Sequence, residues 1–373
     1  MYSQNDLDEA VASGALSAES ATALRSFVER QRALPLVDEE HFRLITGFND
    51  IFVAIAATIL LFAVGWIGYS IGNGLGLTVD GNGPSPLSPL AVAAVAWGLA
   101  LFFTAKRRMA LPSILLLLAF VGGVFLTAAF GMAMLVGDPP KAQEAIYVGA
   151  IASLSGLTAA IAAWVHWRTF KVPITVAAGG AAVAAIAVGG LIAVLGDVET
   201  PQNNIILSFV LMLGIGMFLF AMRWDSSDPA RVTRRSDVAF WLHLLAAPMI
   251  VHPIFSLLGL NDGNATVIEG LIVVLLYLAL GVTALAIDRR ALLVSALAYV
   301  LFALQALFRQ FGAVELNVAL TALVIGSALL LLSAFWHQAR RIVVQPLPEG
   351  LRARLPNLDR PLLEKAPSPL PAA

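Results

Sequence analysis

Cysteine is absent from this chain, which excludes disulfides, thiolate metal sites and thiol nucleophiles together. Charge is scarce as well: Asp, Glu, Lys and Arg make up 13% of the 373 residues, hydrophobic residues make up 59%, and the mean hydropathy is +0.85. Soluble domains carry about 25% charged residues, so this deficit defines a polytopic membrane protein. No HExxH, GxSxG or GxxxxGK[ST] motif occurs, and the GNGLG at 72–76 follows a membrane-length apolar run rather than a strand. No enzyme class is indicated, and neither a cofactor nor a metal is expected. Basic stripes interleaved with aromatics are also lacking, so nucleic acid is not an expected partner. No basic n-region precedes the first apolar segment, which is therefore expected to stay in the membrane.

What the chain has is a train of apolar runs, each near the ~20 residues that cross ~30 Å of hydrocarbon. They fall at about 50–72, 88–105, 110–136, 145–166, 172–195, 204–222, 238–260, 266–287, 291–311 and 316–336. The expected fold is an all-α helical bundle of about ten transmembrane helices. Lys106, Arg107 and Arg108, then Arg168 and Lys171, then Arg223, Arg231, Arg234 and Arg235, then Arg289 and Arg290, then Arg340 and Arg341 occupy every second connection. By the positive-inside rule both termini are cytoplasmic. The alternate connections hold carboxylates such as Asp138, Glu144, Asp197 and Glu269.

Three regions are expected: a cytoplasmic helical hairpin leader at 1–47, the membrane bundle at 48–337, and a Pro-rich, mostly disordered cytoplasmic tail at 338–373. In the leader, Gly14 suits a helix C-terminal turn and Ser17 the cap of the next helix. Its apolar face is too small to form a core alone, so residues 6–32 are expected to dock on a cytoplasmic protein, on a second copy of the chain or on the membrane. Gly68 and Gly72, Gly149 with Ser153, and the run from Ala177 to Gly190 mark spans that pack closely. Basic residues followed at once by a new span recur in KRRMALPSIL, RTFKVPITVA and DRRALLVSAL, as in stacked helical hairpins.

The best site candidate is the run from Arg231 to Leu260, which holds two histidines and two prolines. His243 and His252 are nine residues apart and on a straight helix face opposite sides. Pro248 and Pro253 each remove a backbone N–H, so a helix break there would free the carbonyls of Leu244 and Met249 as ligands. In the ninth run Gln305 and Arg309 share a face at i, i+4, and Arg309 needs a partner or water. Glu269, Glu315 and His252 lie at the same expected level. An outer polar cluster of His252, Glu269, Gln305, Arg309 and Glu315, with His243 deeper, is the expected substrate or proton pathway. His166 and His337 fall at the cytoplasmic boundary and read as interfacial.

The leader LDEAVASGALSAESATALRSFV, followed by a polar gap and short Ala, Leu and Gly-rich spans, resembles a family of bacterial predicted multi-pass membrane proteins of uncharacterised function. The resemblance implies a bacterial inner-membrane location and assigns no site residue. The expected function is a transporter or permease-like protein, proton-coupled through the polar site. The alternative is a non-catalytic scaffold or sensor that engages a cytoplasmic partner through the leader.

Overall fold

The computed structural model describes residues 11, 13, 14, 16–24, 48–196, 200–229, 231, 233–258, 267–290, 293, 297, 317–356 and 358. The chain divides into two compact units at residues 44 and 45. In the first, Gly14 turns the chain at φ +74°, and the Ser17 hydroxyl accepts from the Ser20 amide at 3.1 Å at the start of a helix over 18–24. The remainder of the expected hairpin lies outside the described residues.

The second unit is a succession of helices: α1 (Phe48–Gly74), α2 (Leu87–Phe103), α3 (Ala110–Val136), α4 (Glu144–Phe170), α5 (Ile174–Leu195), α6 (Thr200–Ser226), α7 (Arg234–Leu257), α8 (Val267–Ile287), α9 (Asn317–Ala334), α10 (Trp336–Val344) and α11 (Glu349–Arg352). No strand occurs among the described residues. A helix closes every backbone hydrogen bond within its own segment, which is the requirement lipid imposes. Among the described residues six helices are long and apolar enough to cross a membrane, and seven if α9 and α10, bent by 76° at their junction, form one span. Large side chains such as Phe62, Trp66 and Leu219 lie exposed on the bundle surface, where lipid would cover them. The ninth expected run lies outside the described residues apart from Leu293 and Leu297, which are helical.

Between spans the apolar transfer term is lost, because lipid is as apolar as leucine, and close backbone approach takes its place. Helices α4 and α5 show this most fully. A Cβ on Gly149 would stand 2.6 Å from the Gly189 carbonyl oxygen, and a Cβ on Gly189 would stand 2.7 Å from that of Gly149. Beside them the Ser153 hydroxyl donates to the Ile186 carbonyl at 3.1 Å. Gly149, Ser153 and the run from Ala177 to Gly190 thus form one seam, while Gly68 and Gly72 pack against Ser85, Leu87 and Ser88 at the start of α2.

The two prolines of α7 do not break it; the helix is continuous from Arg234 to Leu257 with both inside. The expected helix break is therefore corrected, and the reason lies in the neighbouring helix. Pro253 cannot donate to Met249 four residues earlier. Gly214 of α6 sits against that carbonyl so closely that a Cβ there would come within 2.8 Å of Met249 C and O. The freed carbonyl is covered by a glycine backbone and offers no ligand.

Gly137 (φ +67°) and Gly196 (φ +72°) terminate α3 and α5, as expected for left-handed positions that disfavour a Cβ. Four basic connections turn on a residue with a side chain, Arg108 (φ +53°), Lys171 (φ +56°), Arg231 (φ +55°) and Asp288 (φ +56°), as does the α1–α2 connection at Asp80 (φ +51°). The helical part of the chain also runs past the boundary expected at residue 338, because α10 and α11 follow it and Arg340, Val344 and Pro356 are buried. Residues 357 and 359–373 lie outside the described residues.

Replacing Gly214 with Ala is expected to destabilise the protein by about 1–3 kcal/mol, since backbone rather than a flexible side chain must yield. Gly216, with open space around its Cβ position, is the control: Gly216→Ala should raise stability by up to about 1 kcal/mol through helix propensity. Thermal unfolding of the purified variants in detergent separates the two.

Candidate functional site

The largest concentration of buried charge lies where the basic connections of α6, α7 and α8 meet α10. Its centre is Asp225, in the last turn of α6 and 1% exposed. Arg289, 3% exposed and just beyond α8, grips it with two bonds: Nη2 to Oδ1 at 2.6 Å and Nε to Oδ2 at 3.2 Å. The same Nη2 donates to the carbonyl and hydroxyl of Ser236 in the first turn of α7, at 3.0 and 3.1 Å. Only a planar guanidinium offers this many donors in fixed directions.

Asp288 is the second acidic pole. Arg231 donates to its Oδ2 at 2.8 Å, and to the carbonyls of Ile287 and Asp288 at 2.9 and 3.1 Å. Trp336 donates its indole N–H to Oδ1 at 2.7 Å, and Arg340 approaches the same oxygen at 3.8 Å. The backbone explains why Asp288 can reach so many groups. The amide of Arg289 bonds the Ala284 carbonyl at 2.8 Å and that of Asp288 bonds Leu285 at 3.3 Å, the paired closure of a Schellman turn. Asp288 occupies the left-handed position that glycine normally takes. Asp is among the few other residues enriched there, and here its carboxylate ties two helices and a loop together.

Two further contacts extend the network. Asp228 accepts from the Thr233 amide and hydroxyl at 2.9 and 2.7 Å, and the Thr233 hydroxyl caps α7 by accepting from the Arg235 amide. Arg340 donates through Nη2 to the Pro356 carbonyl, so the segment after α11 is held too. Beneath the ions an apolar layer of Ala247, Ala284, Leu285, Ile287 and Trp336 seals the cluster.

His243 reaches this network from within the bundle. It is fully buried, nine residues into α7 and hence about 14 Å along the helix. Its Nε2 stands 3.5 Å from Asp225 Oδ2, and the Phe218 ring lies edge-on at 5.2 Å. Both its ring nitrogens are buried with no hydrogen-bond partner among the described residues, so the approach to Asp225 is an ion-pair distance rather than a hydrogen bond. His243 thus joins the ionic cluster at the basic end of the bundle.

The other expected residues fare differently. His252 is exposed on the opposite face of α7, as the nine-residue spacing requires. Pro248 is exposed and Pro253 buried. The backbone of Glu269 is in α8, but its side chain, like Gln305, Arg309 and Glu315, lies outside the described residues. His166, expected at the interface, is fully buried among Trp97, Phe120 and Phe170, with Nδ1 3.2 Å from the Thr175 hydroxyl. An aromatic box satisfies its bulk, and the ring serves the α4–α5 core. Among the described residues no three His, Asp or Glu side chains group as metal ligands.

Sequence reasoning missed Asp225 and Asp288. The signal was present in WDSSD (224–228) and IDRR (287–290): carboxylates placed on the arginine-rich side, where pairing is the natural outcome. Comparison of the chain with family models, with curated proteins and with solved structures gave no match.

Asp225→Asn leaves Arg289 buried against a neutral amide, and should cost about 3–5 kcal/mol, read as a lowered thermal midpoint in detergent. Asp288 gives a pH signature. Burial alone would raise its carboxyl, but the guanidiniums of Arg231 and Arg340, the Trp336 N–H and Arg289 outweigh that and hold it below its ordinary value of 3.8. The stabilisation from a depressed carboxyl is complete above about pH 4 and is lost as pH falls through the folded-state value. Asp288→Asn should therefore lower the midpoint at neutral pH and make its decline below about pH 4 shallower, with no new pH dependence between about pH 6 and 8.

Proposed function

We propose that this chain is a multi-pass transporter or permease-like protein of a bacterial inner membrane, with about ten spans and both termini cytoplasmic, in which the Asp225–His243 pair exchanges a proton as a polar solute passes. The observation that carries this reading is the fully buried His243, set well inside a span beside a carboxylate already held by arginine. Ionisable groups inside membrane spans are costly and are retained chiefly where substrate or protons move. Histidine is the side chain whose ordinary titration falls near neutrality. In this reading protonation of His243 strengthens its hold on Asp225 and loosens Arg231, which lies 3.9 Å from the same oxygen. His252 and the carboxylates of the opposite end would form the outer part of the path, with Arg309, Gln305, Glu269 and Glu315.

A second reading has its own support. The bond from Arg340 to the Pro356 carbonyl ties the C-terminal segment into the network, as a scaffold or sensor would need if a cytoplasmic partner pulled on that segment or on residues 6–32. There the ions are a structural lock and no solute crosses.

Water access separates the two readings, and the missing cysteines make it measurable. His243→Cys in inside-out vesicles should react with a membrane-impermeant thiol reagent, and His252→Cys should react in intact cells. A His243→Cys protein that melts like wild type yet stays unlabelled from both sides would overturn the transport reading. A scaffold would also lose its partner on deletion of residues 1–47, whereas a transporter's labelling pattern should survive that deletion.

A further inference from the structure

Four arginines crowd the network, and they are not equivalent. Arg289 pairs with Asp225, while Arg231 and Arg340 face Asp288. Arg290 has no carboxylate partner among the described residues; its guanidinium lies over the Trp336 ring, 4.8 Å from the centroid. A guanidinium that rests on an aromatic face keeps its N–H edge available to a further acceptor. Such an edge fits the oxygens of a phosphate in bidentate fashion.

That guanidinium and that indole line one end of a cavity of about 130 Å³. The remaining wall is formed by Leu293, Leu297, Leu329, Leu332 and Ser333. A largely apolar cavity of this order suits a hydrocarbon guest. Leu329 lies seven residues before Trp336, about two turns nearer the middle of the bundle than the cation. The 76° bend between α9 and α10 carries α10 away from the span direction at the level of Arg290. The cavity therefore has the Arg290 side chain in its lining and leucines towards the middle of the span.

We propose that this cavity holds an acyl chain of an anionic phospholipid, with the lipid phosphate on Arg290. Charge complementarity selects the anionic lipid: Asp225 and Asp288 are committed to Arg231, Arg289 and Arg340, and among the described residues no ion pair is made to Arg290. The assignment is independent of whether the Asp225–His243 pair carries protons.

The test uses the full chain in micelles doped with phospholipids brominated on the acyl chains, reading the tryptophan fluorescence lost from wild type but not from Trp336→Phe. Brominated phosphatidylglycerol should quench this Trp336 signal at about fivefold lower concentration than brominated phosphatidylcholine. Arg290→Gln should bring the two lipids level, and Leu329→Phe, which fills the cavity, should remove the quenching by both. Equal quenching by the two lipids in wild type, or a preference that survives Arg290→Gln, would overturn the proposal. So would relief of quenching by millimolar inorganic phosphate, which would mark a free-anion site. Should Trp336→Phe fail to fold, phosphatidylglycerol retained per protein through purification, counted by mass spectrometry for wild type and Arg290→Gln, gives the same decision: equal retention refutes the site.

Discussion

The basic end of this bundle depends on one pair of side chains, the carboxylate of Asp225 gripped by the guanidinium of Arg289. Removing both from water costs several kcal/mol per ion, and a single contact does not recover it. The recovery comes from saturation: Arg289 also bonds Ser236, Arg231 also bonds two carbonyls, and Asp288 accepts from an arginine and an indole. Every added bond draws in another helix, so desolvating the first pair dictates how α6, α7, α8 and α10 converge. A greasy core of the same volume would hold these helices together but would permit them to rotate or slide. The ions specify one register.

Elsewhere the bundle relies on the opposite device, the absence of side chains. Gly149 and Gly189 let two backbones touch, and Gly214 closes over the carbonyl that Pro253 leaves without a donor. Both devices answer the same condition: in lipid, apolar burial does not discriminate between one helix pairing and another. Specificity has to come from contact distance or from polar geometry. This chain uses the first in α4 to α7 and the second where the spans end.

The architecture was legible because membrane solvent simplifies the code: length and apolarity alone mark α1 and α3 to α7, and small residues mark the α4–α5 seam. The continuity of α7 was not legible, since Pro248 and Pro253 speak for a break and the compensating Gly214 lies some forty residues upstream on another helix. The site was half legible. His243 stood out as a polar residue in an apolar run, but its partner Asp225 looked like one charge in a loop, because pairing across 64 residues to Arg289 leaves no local pattern. His166 was misplaced for a related reason: its position near a helix end suggested water, while the aromatic rings that enclose it come from three helices.

The turns at the basic end have a bearing on biogenesis. At Arg108, Lys171 and Arg231 the residue that bends the chain into a left-handed conformation is the same one that carries positive charge. Orientation during insertion is read from those charges, and the hairpin closes on those dihedral angles. One residue thus serves the translocation machinery first and the folded backbone afterwards. Exchanging Lys171 for glycine eases the bend while erasing a topological signal, and exchanging it for a β-branched residue strains the bend while erasing the same signal. Orientation and hairpin closure in this protein therefore cannot be tuned separately at these positions.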